Sequence, residues 1–136
     1  MNGCFVTEDT GKLLLRIAVG VLVLLHGIFK IQNPGSIDFI GGLFQNYHLP
    51  AFLAYLVYIG EVLAPAMLLV GYKTRLAAKL VAITMVVAIL LAHAKDIFAL
   101  TQMGGSAIEL QLMFLVGAVA ISALGAGKYS LDAKKG

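Results

Sequence analysis

The sequence predicts an all-α, polytopic membrane protein: a four-transmembrane-helix bundle with a short interfacial amphipathic helix between spans 1 and 2. Three observations predict it. The 136 residues are 60% hydrophobic and only 12% charged, where a soluble domain is about half apolar and about a quarter charged, and the mean hydropathy is +0.94. The apolar residues gather in four runs, roughly 12–31, 51–72, 75–94 and 106–125, each close to the ~20 residues that a membrane-crossing helix needs. Eight of the ten Lys and Arg residues fall on one side of a chain threaded that way. Residues 1–136 read as one domain whose core is shared with lipid.

The first run contains LLLRIAVGVLVLLHGIFK, residues 13–30. Its flank carries Glu8 and Asp9 as well as Lys12, and no small-x-small site follows, so it reads as a span rather than a cleaved leader. The single Cys4 excludes an internal disulfide and is read as a free thiol. At 100° per residue, Arg16, Gly20, His26, Gly27 and Lys30 fall within about 120° of one another. Glycines on that face admit a neighbouring helix, so the basic groups point at protein. Arg16 and Lys30 sit near opposite ends and are expected to snorkel as boundary anchors. His26 lies a turn deeper and is open to a functional or a hydrogen-bonding role.

Between spans 1 and 2, Ile37, Ile40, Phe44 and Tyr47 recur at helical spacing behind Asn33-Pro34, against polar Asp38, Gln45 and Asn46. This predicts an amphipathic helix over 33–48, lying in the interface and partly covering the bundle mouth. The second run, AFLAYLVYIGEVLAPAMLLVGY, places Glu61 ten residues in, close to the bilayer midplane. A carboxylate at that depth is costly and marks a functional site by default. Pro65 lacks an N–H and leaves the carbonyl of Glu61 without its helical donor. Tyr58, one turn away, is placed to donate to the carboxyl. The carboxyl must be either protonated or paired with a cation; with Arg16 and Lys30 assigned to the boundaries, His26 is the expected partner. Span 3 follows a tight GYKTR turn and ends at His93, and Ser106-x-x-Glu109 opens span 4 as a capping box, which alone would account for Glu109.

Lys12, Arg16, Lys73, Arg75, Lys79, Lys128, Lys134 and Lys135 share one side, and only Lys30 and Lys95 the other. By the positive-inside rule both termini are cytoplasmic. His26, Lys30, His93 and Glu109 then lie toward the outer side with Tyr58 and Glu61 beneath them, a pattern expected of an outward-opening polar pocket. The chain has no CxxC, no cysteine in a span, no phosphate-binding glycine loop and no nucleophile elbow, and no metal site is expected. A haem between His26 and His93 is disfavoured, since both have other uses. A quinone fits better: its carbonyls need a donor such as His or Lys, its proton-coupled reduction an acid such as Glu61, and its tail an apolar cleft.

Taken in order, LLLRIAVGVLVLLHGIFK, IGEVLAPAMLLVGYKTRLAA, the AxxLLAH run that ends span 3, the Glu109 entry to span 4 and the GAGKYSLD tail resemble the DoxX family of small four-helix bacterial inner-membrane proteins over nearly the whole chain. The resemblance implies a multi-pass protein of the bacterial inner membrane with a redox-associated role. DoxX-type proteins are linked to a thiosulfate:quinone oxidoreductase subunit and to a membrane complex with superoxide-detoxifying and sulfur-transferring partners. The expectation is a membrane subunit or partner of a quinone-linked oxidoreductase or redox-stress complex, with Glu61 and His26 as catalytic candidates. Lys30, Tyr58, His93 and Glu109 join them as cofactor-binding candidates. The expected partners are the lipid bilayer and redox proteins, with a homo-oligomer open and no nucleic acid. A small-solute or proton pathway, and a non-catalytic scaffold recruiting a partner enzyme, stay open beside this reading.

Overall fold

A computed structural model of the protein describes residues 7–134, so Cys4 and Lys135 lie outside the described residues. The described chain is helical: α1 (Glu8–Gln32), α2 (Gly35–Gln45), α3 (Ala51–Val70), α4 (Thr74–Ala92), α5 (Glu109–Leu124) and a last turn, α6 (Leu131–Lys134). α1 starts where the Thr7 hydroxyl accepts from the Thr10 N–H, with Glu8 and Asp9 in the first turn complementing the helix dipole. It stops at Asn33-Pro34, where the Asn33 side-chain amide donates back to the Phe29 carbonyl.

α1, α3, α4 and α5 pack in a ring in which each touches two neighbours in that cyclic order. Val19 and Val23 from α1, Leu68 from α3, Ala77, Ala78, Val81 and Met85 from α4, and Phe114, Ala118 and Ile121 from α5 form the common core. Much of the remaining apolar surface faces outward, including Leu14, Leu22 and Leu25 of α1, Ile83 of α4 and Met113 and Val116 of α5. Three of the four predicted runs form helices long and apolar enough to cross a membrane, Glu8–Gln32, Ala51–Val70 and Thr74–Ala92. The fourth run is shorter than predicted: α5 has 16 residues, about 24 Å of helical rise.

α2 begins at Gly35, two residues later than predicted, and packs one face on the bundle. Its Ile37 and Gly41 are buried, and Gly41 lies against Ala51 at the start of α3. α3 changes winding along its length, from a 3-10 segment (Ala51–Leu56) through a π turn (Ile59–Leu63) to α-helix (Ala64–Val70). Pro65 supplies the cause. Its missing N–H breaks the regular ladder, and the Ala64 N–H reaches back five residues to the Ile59 carbonyl. The π turn carries Glu61.

Candidate functional site

The two ends of the bundle are built differently. At the end bearing the termini, Arg16 is not the expected boundary anchor: it is fully buried. Its Nη1 donates to the Leu68 carbonyl at 2.7 Å, Nε to the Ala126 carbonyl at 3.1 Å and Nη2 to the Tyr129 carbonyl. One guanidinium thus closes the end of α3 and the chain leaving α5, using the planar fork that an ammonium lacks. The chain after Gly125 folds back across this end. Asp132 accepts from the Lys73 and Thr74 N–H groups at 2.7 and 2.8 Å, capping α4, and Asp9 accepts from the Lys128 N–H at 3.0 Å. Arg75 donates to the Ser122 and Ala123 carbonyls at the end of α5. The sequence marks these cations only as topology determinants; their hydrogen bonds depend on where the tail folds.

At the far end a cavity of about 730 Å³ opens among α1, α2, α3, α4 and α5. Its wall is mostly apolar, with Phe39, Ile40, Leu43 and Phe44 contributed by α2. Among the predicted site residues, His26, Lys30, Glu61 and His93 line it. Glu61 is buried and its Oε1 accepts from Lys30 Nζ at 2.9 Å, with the two side chains 8% and 19% exposed.

This pair corrects the expectation that His26 would partner Glu61 and that Lys30 would snorkel to the boundary. Counting residues gives a common depth only if neighbouring helices start level. Here the register is set by glycine contacts. A methyl on Gly27 would lie 2.1 Å from the Glu61 carbonyl oxygen, and one on Gly20 3.2 Å from the Pro65 carbonyl oxygen. Gly27 and Glu61 are therefore level, and Lys30 sits less than one turn above them. α3 runs on past this level to pack its Ala51–Leu56 segment against α2, so the middle of α3 meets the end of α1.

His26 is accessible to the cavity, and its ring meets Phe114 edge-on at 5.8 Å between centroids. Among the described residues it has no hydrogen-bond partner. His93 forms a second polar patch: Nε2 lies 3.3 Å from the Gln111 amide nitrogen, and Nδ1 lies 3.7 Å from Asp96.

Tyr58 and Glu109 do not line the cavity. The Tyr58 hydroxyl points to the Lys30 carbonyl at 3.5 Å rather than to the Glu61 carboxyl; it steadies the end of α1 from outside the cavity. Glu109 is exposed, its carboxyl folded over Gly105. The capping box does not close either, because the Ser106 hydroxyl accepts from Ile108 N–H and the Glu109 N–H goes to the Ser106 carbonyl. Gln111 and Thr84 are cavity residues that sequence reasoning passed over. Thr84 donates to the Leu80 carbonyl one turn back and packs on Gly60; nothing short of the α3–α4 register distinguishes it from an ordinary helix threonine. Among the described residues no group of three His, Cys, Asp or Glu is placed to hold a metal.

The comparisons with known proteins agree with this architecture. The chain is 30% identical over 133 residues, 97% of its own length and 90% of the relative's, to a Bacillus subtilis (strain 168) protein named "Putative oxidoreductase CatD". No solved structure matches it. Residues 11–94, from the start of α1 to the end of α4 and thus including Lys30, Glu61 and His93, match the DoxX family. A helical protein with several membrane-length helices, this chain belongs to the DoxX family of membrane proteins.

Proposed function

We propose that the chain is the membrane subunit or partner of a quinone-linked oxidoreductase or redox-stress complex, and that the far-end cavity receives the quinone. The observation that carries this reading is the accessible, unpartnered His26 beside the Lys30–Glu61 pair in a largely apolar cavity. A volume of about 730 Å³ falls within the ~300–1,000 Å³ of small-molecule sites, and the apolar wall suits a ring and the first part of a tail. A quinone supplies reversible proton-coupled two-electron chemistry. The protein's residues divide the remaining work. His26 donates a hydrogen bond to a carbonyl oxygen, Glu61 exchanges a proton with the cavity, and Lys30 holds the Glu61 carboxylate in place and balances its charge. The name of the Bacillus relative, which calls that protein an oxidoreductase, points the same way.

In this reading α5 completes a fourth crossing, both termini are cytoplasmic and the cavity opens to the outer side of a bacterial inner membrane; the distribution of basic residues supports this orientation. The test is purification in native lipid, followed by extraction and mass spectrometry of lipophilic small molecules. Wild-type protein is expected to carry quinone, and folded His26→Ala and Glu61→Gln proteins to lose it. Folded wild-type protein that carries none, and binds none when quinone is added, would turn the assignment toward a solute pathway or a scaffold.

A further inference from the structure

From Ile97 to Ile108, between the short 3-10 turn after α4 and the start of α5, the chain has no charged residue. It forms a hairpin closed by a Leu100–Ser106 bridge. Three of its apolar side chains have no cover: Phe98 is 97% exposed, Met103 95% and Leu100 72%. A hairpin in water would be expected to show polar side chains here. Its backbone is paired within the hairpin only in part. The Ala99 N–H bonds to the Asp96 carbonyl, Ala107 to Ala99, Thr101 to Gly105, Gly104 to Thr101, and Ile108 to the Ser106 hydroxyl. Backbone groups left unpaired need water or lipid head groups, which places the hairpin backbone at the membrane interface and leaves only its apolar side chains to reach the hydrocarbon.

The lengths supply an independent argument. α4 has 19 residues and α5 has 16, so α5 falls about 6 Å short of a ~30 Å hydrocarbon layer. The shortfall lies at the end where the hairpin joins it, because the other end of α5 is fixed by Arg75 and the Gly125 turn. We infer, resting on the proposed fourth crossing by α5, that this hairpin lies in the lipid interface at the far end of the bundle, with its Phe98, Leu100 and Met103 side chains among the upper acyl chains, and that it extends the crossing that α5 leaves short. The occupant of this surface is lipid of the same bilayer.

The chain contains no tryptophan, so single tryptophans placed at exposed Phe98 and Met103 report locally without disturbing the core. In liposomes both variants are expected to show blue-shifted emission, strong quenching by lipids brominated on the upper acyl chain, weaker quenching by lipids brominated near the chain end, and little quenching by aqueous iodide. Water-like emission quenched by iodide would overturn the inference. So would blue-shifted emission insensitive to every brominated lipid, which would mean that protein, a second copy or a partner, covers the hairpin.

Discussion

Gly27→Ala is the smallest change that tests how the site is held. The added methyl would stand 2.1 Å from the Glu61 carbonyl oxygen and 2.8 Å from Val62 Cγ2. The first of these is backbone and cannot rotate away. Restoring ordinary contact near 3.4 Å requires α1 and the π turn of α3 to part by about 1.3 Å. Overpacking of this kind costs about 1–3 kcal/mol, offset by at most about 1 kcal/mol from replacing a helical glycine. The expected net loss is about 1–2 kcal/mol. Gly42→Ala is the control: the position is helical, a methyl there meets nothing within 4 Å, and stability is expected to rise by about 0.5–1 kcal/mol.

The two substitutions are chemically identical and should differ by about 2 kcal/mol, roughly a 30-fold difference in the unfolding equilibrium. Reversible unfolding in mixed micelles, with increasing SDS fraction and helicity as the signal, measures it. The same 1.3 Å displacement acts on the 2.9 Å Lys30–Glu61 contact, so Gly27→Ala is also expected to weaken ligand retention while Gly42→Ala leaves it unchanged. Equal stability of Gly27→Ala and Gly42→Ala would refute the proposed register of α1 on α3, and with it the depth assigned to the ion pair.

Three further outcomes are expected. Arg16→Lys keeps the charge but cannot serve the Leu68, Ala126 and Tyr129 carbonyls together; leaving two of them unsatisfied costs about 2–6 kcal/mol, visible in the same unfolding measurement. Lys30→Met strands the Glu61 carboxylate and is expected to cost about 3–5 kcal/mol, whereas Lys30→Met combined with Glu61→Gln should cost less than the two single changes summed; strict additivity would show that the contact carries no energy. With Cys4 replaced by Ser, a cysteine at exposed Asp38 should react with an impermeant thiol reagent in intact cells and one at Lys134 should not, and the opposite pattern would invert the topology.

The fold was legible because hydropathy is a property of long runs: four apolar stretches, their connections and the grouping of Arg16, Gly20, Gly27 and Lys30 on one face of α1 follow from composition and periodicity. The site was legible as a set of residues and not as a set of contacts. His26, Lys30, Glu61 and His93 line one cavity, yet the partner of Glu61 depends on how far α1 slides along α3. Glycine contacts decide that register, and a glycine on a wheel shows that a neighbour comes close without showing which atom it meets. Pro65 signalled a broken ladder but not the π turn that absorbs it. Glu109 and Tyr58 do not line the cavity for a related reason: each points into a local backbone arrangement, the Gly105 turn and the end of α1, which helix periodicity does not describe.

Arg16 and Lys30 occupy the same face of the same helix, four turns apart, and their different surroundings explain why the cavity lies where it does. Arg16 is a buried guanidinium held by three carbonyls from two segments of chain. No single motion releases all three bonds, so Arg16 holds α3 and the tail together at that end of the bundle. Lys30 is a flexible ammonium with one carboxylate partner, 19% exposed beside a cavity of about 730 Å³. One rotamer change separates the pair, and the cost is moderated by whatever polar group takes its place. On the proposed function, exchange of a proton or a ligand head group belongs at the Lys30 end, where His26 has no hydrogen-bond partner among the described residues. The same contrast explains why a lysine rather than an arginine suits position 30: a bidentate guanidinium would hold Glu61 as firmly as Arg16 holds its carbonyls, and a site that must let go of its internal partner to engage a ligand would lose that freedom.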